Sequence, residues 1–137
     1  MPELLYPEID PEEYLNFATR LASGTDNAAL RSAADRVYYA AFLTSRNVLA
    51  AKDYLTPYYD ARDHAYVSRT LRHPNVLGYF GNKENLLRDA RNRITYDTQE
   101  LRANDYDVRR LSWMIETARA IIQKVKALPD NPAVRRH

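Results

Sequence analysis

Residues 26–52 read DNAALRSAADRVYYAAFLTSRNVLAAK. Leu30, Ala33, Ala34, Val37, Ala41, Thr44, Val48 and Ala51 recur there at three- and four-residue spacing, which is one stripe of an α-helix. Asp26 can cap its start. The alanines of the stripe permit close approach of a second helix, while Asp35, Tyr38, Tyr39 and Phe42 fall on successive turns beside it. Two faces are therefore aromatic and a third is charged, and such a helix can pack on two sides.

The rest of the chain follows the same period. Asp10-Pro11-Glu12-Glu13 reads as an N-cap, a first-turn Pro and a capping-box acid, followed by Tyr14, Phe17, Ala18 and Leu21 and stopped at Gly24. Thr56-Pro57 reads as a second cap and first turn, opening a helix with Ala61, His64, Ala65, Ser68 and Leu71 that ends at His73-Pro74. Asn82 caps a helix through Leu86, Leu87, Ala90 and Ile94. A last helix from Asn104 or Asp107 carries Leu111, Met114, Ile115, Ala118, Ile121, Ile122, Val125 and Leu128 up to Pro129.

The spacing thus predicts helices over 10–23, 26–52, 57–73, 82–96 and 105–128. Their expected core includes Leu21, Val37, Ala41, Leu87, Leu111, Ile115, Ala118 and Ile122. With three glycines in 137 residues there is little of the turn chemistry that strands need. The expected class is all-α, the five helices sharing one core in one domain over 1–137, with residues 129–137 as a frayed tail.

Composition narrows the chemistry. There is no cysteine, so disulfides, thiolate metal sites and cysteine nucleophiles are excluded. His64, His73 and His137 have no ligand-spaced neighbours beyond Asp60/His64, which reads as a helix-surface pair, and no metal or cofactor is expected. Gly24, Gly78 and Gly81 fit no phosphate loop, dinucleotide fingerprint or nucleophile elbow. No apolar run approaches the roughly 18 residues of a membrane span, and MPELLYPEID lacks the basic and apolar regions of a signal peptide, so the expected location is cytoplasmic, away from any membrane.

Charge is uneven. Residues 1–30 carry six acids and one base, and residues 31–137 carry nineteen bases and twelve acids. Sixteen of the bases are Arg and eleven residues are Tyr, a combination suited to phosphate forks and base stacking, or equally to helix-surface pairs and core filling. Arg88 and Arg91 stand at i and i+3 near a helix end, where either a phosphate or Asp35, Asp89 or Asp97 could take their forks.

Arg36-x-Tyr38-Tyr39-Ala40-Ala41-Phe42 on a long helix, followed some fifty residues later by Leu87-Arg88-x-x-Arg91-Asn92-Arg93-x-x-Tyr96-Asp97, resembles the HEPN family of small helical domains over residues 26–127. The resemblance implies an up-and-down bundle of four to five helices, HEPN-like, that forms a symmetric homodimer, with Arg36, Tyr38, Tyr39 and Phe42 on the family-motif or dimer helix. It also implies a place among metal-independent ribonucleases, toxins of toxin-antitoxin pairs and partners of nucleotidyltransferase-like proteins. On it Arg91, Asn92 and Tyr96 are the catalytic candidates, and Arg88, Arg91 and Arg93 the candidates for binding RNA or nucleotide phosphate.

The ribonucleases of the family carry a His four to six residues beyond the Arg, where this chain has Tyr96 and Asp97, so it is similar to the branch with Arg-Asn-x-x-x-Tyr-Asp instead. RNA cleavage through the 2′-hydroxyl needs an acid and a base near neutrality, which His supplies at a pKa of about 6.5 and Tyr, at about 10, does not. Tyr96 would point about 140° from Arg91 on a continuing helix. The Tyr that marks the nucleotidyltransferase-modified toxins is replaced by Thr98 or Gln99. Three readings follow: an RNA- or nucleotide-binding module paired with a nucleotidyltransferase-like or antitoxin protein, a ribonuclease in which His64 or His73 replaces the missing base, and a structural protein-interaction domain.

Overall fold

A computed structural model of the chain describes residues 10–21, 27–96 and 108–134. Among them are five α-helices and no strand: α1 Pro11–Leu21, α2 Asn27–Ala51, α3 Arg62–Arg72, α4 Asn82–Tyr96 and α5 Val108–Lys126, with a 3-10 turn over Gly78–Gly81. The chain is all-α. None of these helices is long and apolar enough to cross a membrane.

Helix α2 is the axis of the bundle and touches α1, α3, α4 and α5. Its small residues explain how: Ala33, Ala34, Ala40 and Ala41 are wholly buried, and an alanine lets a neighbouring helix approach where a larger side chain would hold it off. Val37, Ala41, Leu87, Leu111, Ile115, Ala118 and Ile122 all lie in the core, joined by Tyr38, Leu49, Val67, Leu71, Met114, Ile121 and Val125. The side chain of Leu21, expected among them, lies outside the described residues, as do Gly24 and Asp26 altogether. Leu86 is 45% exposed and leaves the α4 stripe to Leu87, Ala90 and Ile94.

Asp10 caps α1 as its sequence predicts, accepting a hydrogen bond from the Glu12 N–H at 3.0 Å. The start of α3 differs from the Thr56-Pro57 expectation by five residues. The buried Asp63 carboxylate accepts the N–H groups of Tyr58 and Tyr59, both at 2.9 Å, and Tyr59 sits at φ 59°, so residues 57–61 fold back over the helix start instead of joining it. Asp60 then accepts the Arg62 N–H at 2.9 Å. The buried stripe of α3 is consequently Asp63, Val67, Ser68 and Leu71, and Ala61 and Ala65 are exposed.

Two connections set the position of α4 and the carboxyl end. A Cβ at Gly81 would lie 2.2 Å from the Leu71 carbonyl oxygen, so only glycine lets the 3-10 turn cross the end of α3 this closely and deliver α4 against it. Residues 129–134, expected to fray, are tied down: Tyr54 donates to the Pro129 carbonyl at 2.8 Å, and the Asn131 N–H donates to the Lys52 carbonyl at 2.9 Å. Lys52 also donates to the carbonyls of Lys126, at 2.7 Å, and Leu128. The end of α2 thereby closes the last turn of α5, whose carbonyls lack helical partners.

Candidate functional site

Helices α2, α3 and α4 converge on a group of ionisable side chains that the sequence distributes over fifty-odd positions. Helix α4 contributes Glu84, Arg88 and Arg91, three to four residues apart on its inward face. Helix α2 contributes Asp35, Tyr38, Tyr39, Phe42 and Arg46, and α3 contributes His64 and Ser68.

Arg91 is buried, and its guanidinium pairs with Asp35 at 3.5 Å. It lies 4.4 Å from the Tyr38 ring centre and 5.4 Å from that of Tyr39, so two aromatic faces replace part of its hydration. The Asp35 partner is one of those the sequence leaves open. Arg88, one turn earlier, is half-buried and makes no hydrogen bond or ion pair among the described residues, its Nε being fully enclosed. Arg93 lies about 200° round the helix from Arg91. It faces a groove of about 590 Å³ between α4 and α5, with Asn92, Arg110 and Trp113. The arginines expected to act together are divided, Arg88 and Arg91 on one side and Arg93 with Asn92 on the other. The side chain of Tyr96, and Asp97, Thr98 and Gln99, lie outside the described residues.

Arg36 turns away from this cluster. It is exposed, with its guanidinium 5.4 Å from the Tyr14 ring centre across α1. Tyr38 and Phe42 point the other way, into the core, and Tyr39 is half-buried beside them.

His64 stands at the centre. Asp60, its expected surface partner, is taken by Arg62 at 2.7 Å. The imidazole instead stacks on Phe42 at 4.2 Å between ring centres, and its Nδ1 is 2.5 Å from the Tyr38 hydroxyl. Burial lowers the His64 pKa, and Arg88, Arg91 and Arg46 lower it further against the opposing charge of Asp63. At pH 7 the ring is neutral. Burial, reinforced by the charge of Glu84, drives the Tyr38 hydroxyl far above the usual phenol range, so Tyr38 keeps its proton.

Behind Tyr38 lies Glu84, wholly buried, with neither carboxyl oxygen in a hydrogen bond. Burial raises its pKa to about 7, although Arg88 and the nearby Ser68 and Tyr38 hydroxyls pull it down. Those hydroxyls approach the carboxyl without closing a hydrogen bond, and Ser68 Oγ is itself buried without a partner. A carboxyl that titrates near neutrality next to a tyrosine bound to a neutral histidine is a group of acids and bases with displaced pKa values, the arrangement that proton transfer requires.

The sequence named Arg88, Arg91, Tyr38, Tyr39 and Phe42 but gave no role to Glu84, which reads as a favourable first-turn acid of α4, or to Arg46. The signal for Glu84 is its place in the stripe Glu84, Leu87, Ala90, Arg91 and Ile94. No group of three metal-ligating side chains occurs among the described residues. Compared with models of known families, with curated proteins and with solved structures, the chain matches none.

Proposed function

We propose that this protein is a HEPN-like module that holds the phosphate of RNA or of a nucleotide at the junction of α2, α3 and α4. The observation that carries this is the convergence of Arg46, Arg88 and Arg91 on one neutral imidazole, with the Arg88 fork unengaged. An anion meeting Arg88 finds positive potential and no hydrogen-bonded carboxylate that it must displace, since Asp35 is held by Arg91 and Glu84, although its charge is favoured by Arg88, makes no hydrogen bond to it. Arg91 serves as the buried support of this site. The reading includes a homodimer and a nucleotidyltransferase-like or antitoxin partner, as the sequence motifs suggest.

Labelled single-stranded RNA, titrated with the protein in chelator at several salt concentrations, tests it. Affinity is expected to fall steeply as salt rises, and Arg88→Ala to weaken binding by about 1 to 3 kcal/mol. Salt-independent binding, or an Arg88→Ala protein that binds as wild type does, refutes the reading.

A second reading is supported by the Tyr38–His64 contact. With Glu84 ionised, Tyr38 can turn its proton toward the carboxylate and accept one from His64 Nδ1–H, which leaves Nε2 as a general base for a 2′-hydroxyl. Once Nε2 has taken that proton the ring is an imidazolium, and the same Nε2–H can then pass it to the leaving 5′-oxygen, which returns His64 to its neutral form. This is the chemistry of a metal-independent ribonuclease with His64 in place of the absent motif His. Cleavage of the same RNA in chelator, abolished in His64→Ala, supports it; intact RNA after prolonged incubation with wild type excludes it.

A further inference from the structure

The outward side of α3 and the residues after α5 enclose a second concavity, of about 390 Å³, bounded by Tyr54, Tyr66, Arg69, His73, Val76 and Asn131. It is separate from the Glu84–Tyr38–His64 group, since none of those residues lines it. Its volume is within the usual range for small-ligand sites, roughly 300 to 1,000 Å³.

The walls are fixed by the fold. Tyr54 is held by its hydrogen bond to the Pro129 carbonyl, and Asn131 by its backbone bond to Lys52 and by Nδ2 donating to the Asp53 carbonyl at 3.1 Å. Tyr66 packs at 5.7 Å against Tyr58 on its other side, and its hydroxyl accepts the Thr56 N–H at 3.5 Å. The Asn75 N–H donates to His73 Nδ1 at 3.1 Å, so the neutral ring of His73 carries its proton on Nε2 and can donate it.

The chemistry of the lining is selective. Two tyrosine rings and Val76 provide apolar walls, while Arg69 and His73, at i and i+4, provide two donors on one side. Arg69 makes no hydrogen bond or ion pair among the described residues, and none of the lining residues is acidic. The dipole at the end of α3 accounts for a cation at Arg69. It does not account for an unpaired fork beside two rings in a carboxylate-free pocket.

We propose that this pocket is a binding site for a nucleoside monophosphate, with the base against Tyr54 and Tyr66 and the phosphate on the Arg69 guanidinium and His73 Nε2–H. The site is independent of the phosphate-binding reading of the α2–α3–α4 junction.

Isothermal titration of the full chain with AMP, inorganic phosphate and adenosine tests the proposal, with Arg69→Gln and Arg119→Gln as variants. Wild type is expected to bind AMP at least tenfold more tightly than either fragment. Arg69→Gln should weaken AMP at least tenfold while binding RNA as wild type does, and Arg119→Gln, which removes the same charge at an exposed position of α5, should leave AMP binding unchanged. The proposal is overturned by no AMP binding at millimolar concentration, by AMP affinity that Arg69→Gln does not change, or by phosphate or adenosine alone binding as tightly as AMP. RNA binding that is lost while AMP binding persists would refute only the other site.

Discussion

Replacing Glu84 with Gln should stabilise the protein by more at pH 8 than at pH 5. In the folded chain burial raises the carboxyl from 4.5 to about 7, so between these values the unfolded chain has lost the proton that the folded chain still holds. Where the folded state binds more protons, stability falls as pH rises, by up to about 1.4 kcal/mol per pH unit. This carboxyl therefore costs nothing well below pH 4.5, about 1 kcal/mol at pH 5 and about 3 kcal/mol at pH 8, above which the cost is constant. Gln has the same shape and no ionisation, so Glu84→Gln removes that pH-dependent cost. His64 has the opposite sense, since its lowered pKa adds stability as pH rises through the range near 6.5. It is present in both proteins and cancels in their difference. Urea unfolding of both proteins at pH 5 and pH 8 should show the Gln variant gaining about 2 kcal/mol relative to wild type between the two, or roughly 6 to 8 °C in thermal midpoint. A difference that does not vary with pH would refute the placement of Glu84 as a buried carboxyl titrating near neutrality.

Three further outcomes follow from the packing. Gly81→Ala places a Cβ 2.2 Å from the Leu71 carbonyl, a backbone atom that cannot yield without moving α3, and should cost about 2 to 3 kcal/mol in urea unfolding. Asp63→Ala removes the acceptor of the Tyr58 and Tyr59 N–H groups and should cost about 2 kcal/mol, visible also as faster amide exchange at residues 58–59. Arg91→Ala leaves Asp35 without the guanidinium and should lower stability by about 2 to 3 kcal/mol, at the low end for a buried pair because Asp35 keeps some contact with water.

The helices were legible because their signals are local. Asp10 before Pro11, and stripes such as Val37, Ala41 and Thr44 or Leu111, Ile115 and Ala118, need only the 3.6-residue period and a capping side chain. The start of α3 was not, because the event that decides it is Asp63 drawing back the Tyr58 and Tyr59 N–H groups, and Thr56-Pro57 offers an equally good local cap. In the site, the separation of Arg93 from Arg91 was implicit in the helical period, two residues being over half a turn. The roles of His64 and Glu84 were not implicit. Each meets its partners across a sequence gap, Tyr38 to His64 by 26 residues, and His64 had a surface reading in Asp60. Which carboxylate would take Arg91 also depended on how α2 and α4 cross.

The central claim is that phosphate binds where Arg46, Arg88 and Arg91 act on His64, and the imidazole itself reports it. The His64 ring resonances, assigned by comparison with His64→Gln and followed by NMR while a short single-stranded RNA is added, should shift saturably, and the His64 pKa should rise as an anion offsets the three guanidinium groups. An RNA that binds while the His64 resonances and pKa stay where they were would contradict the account.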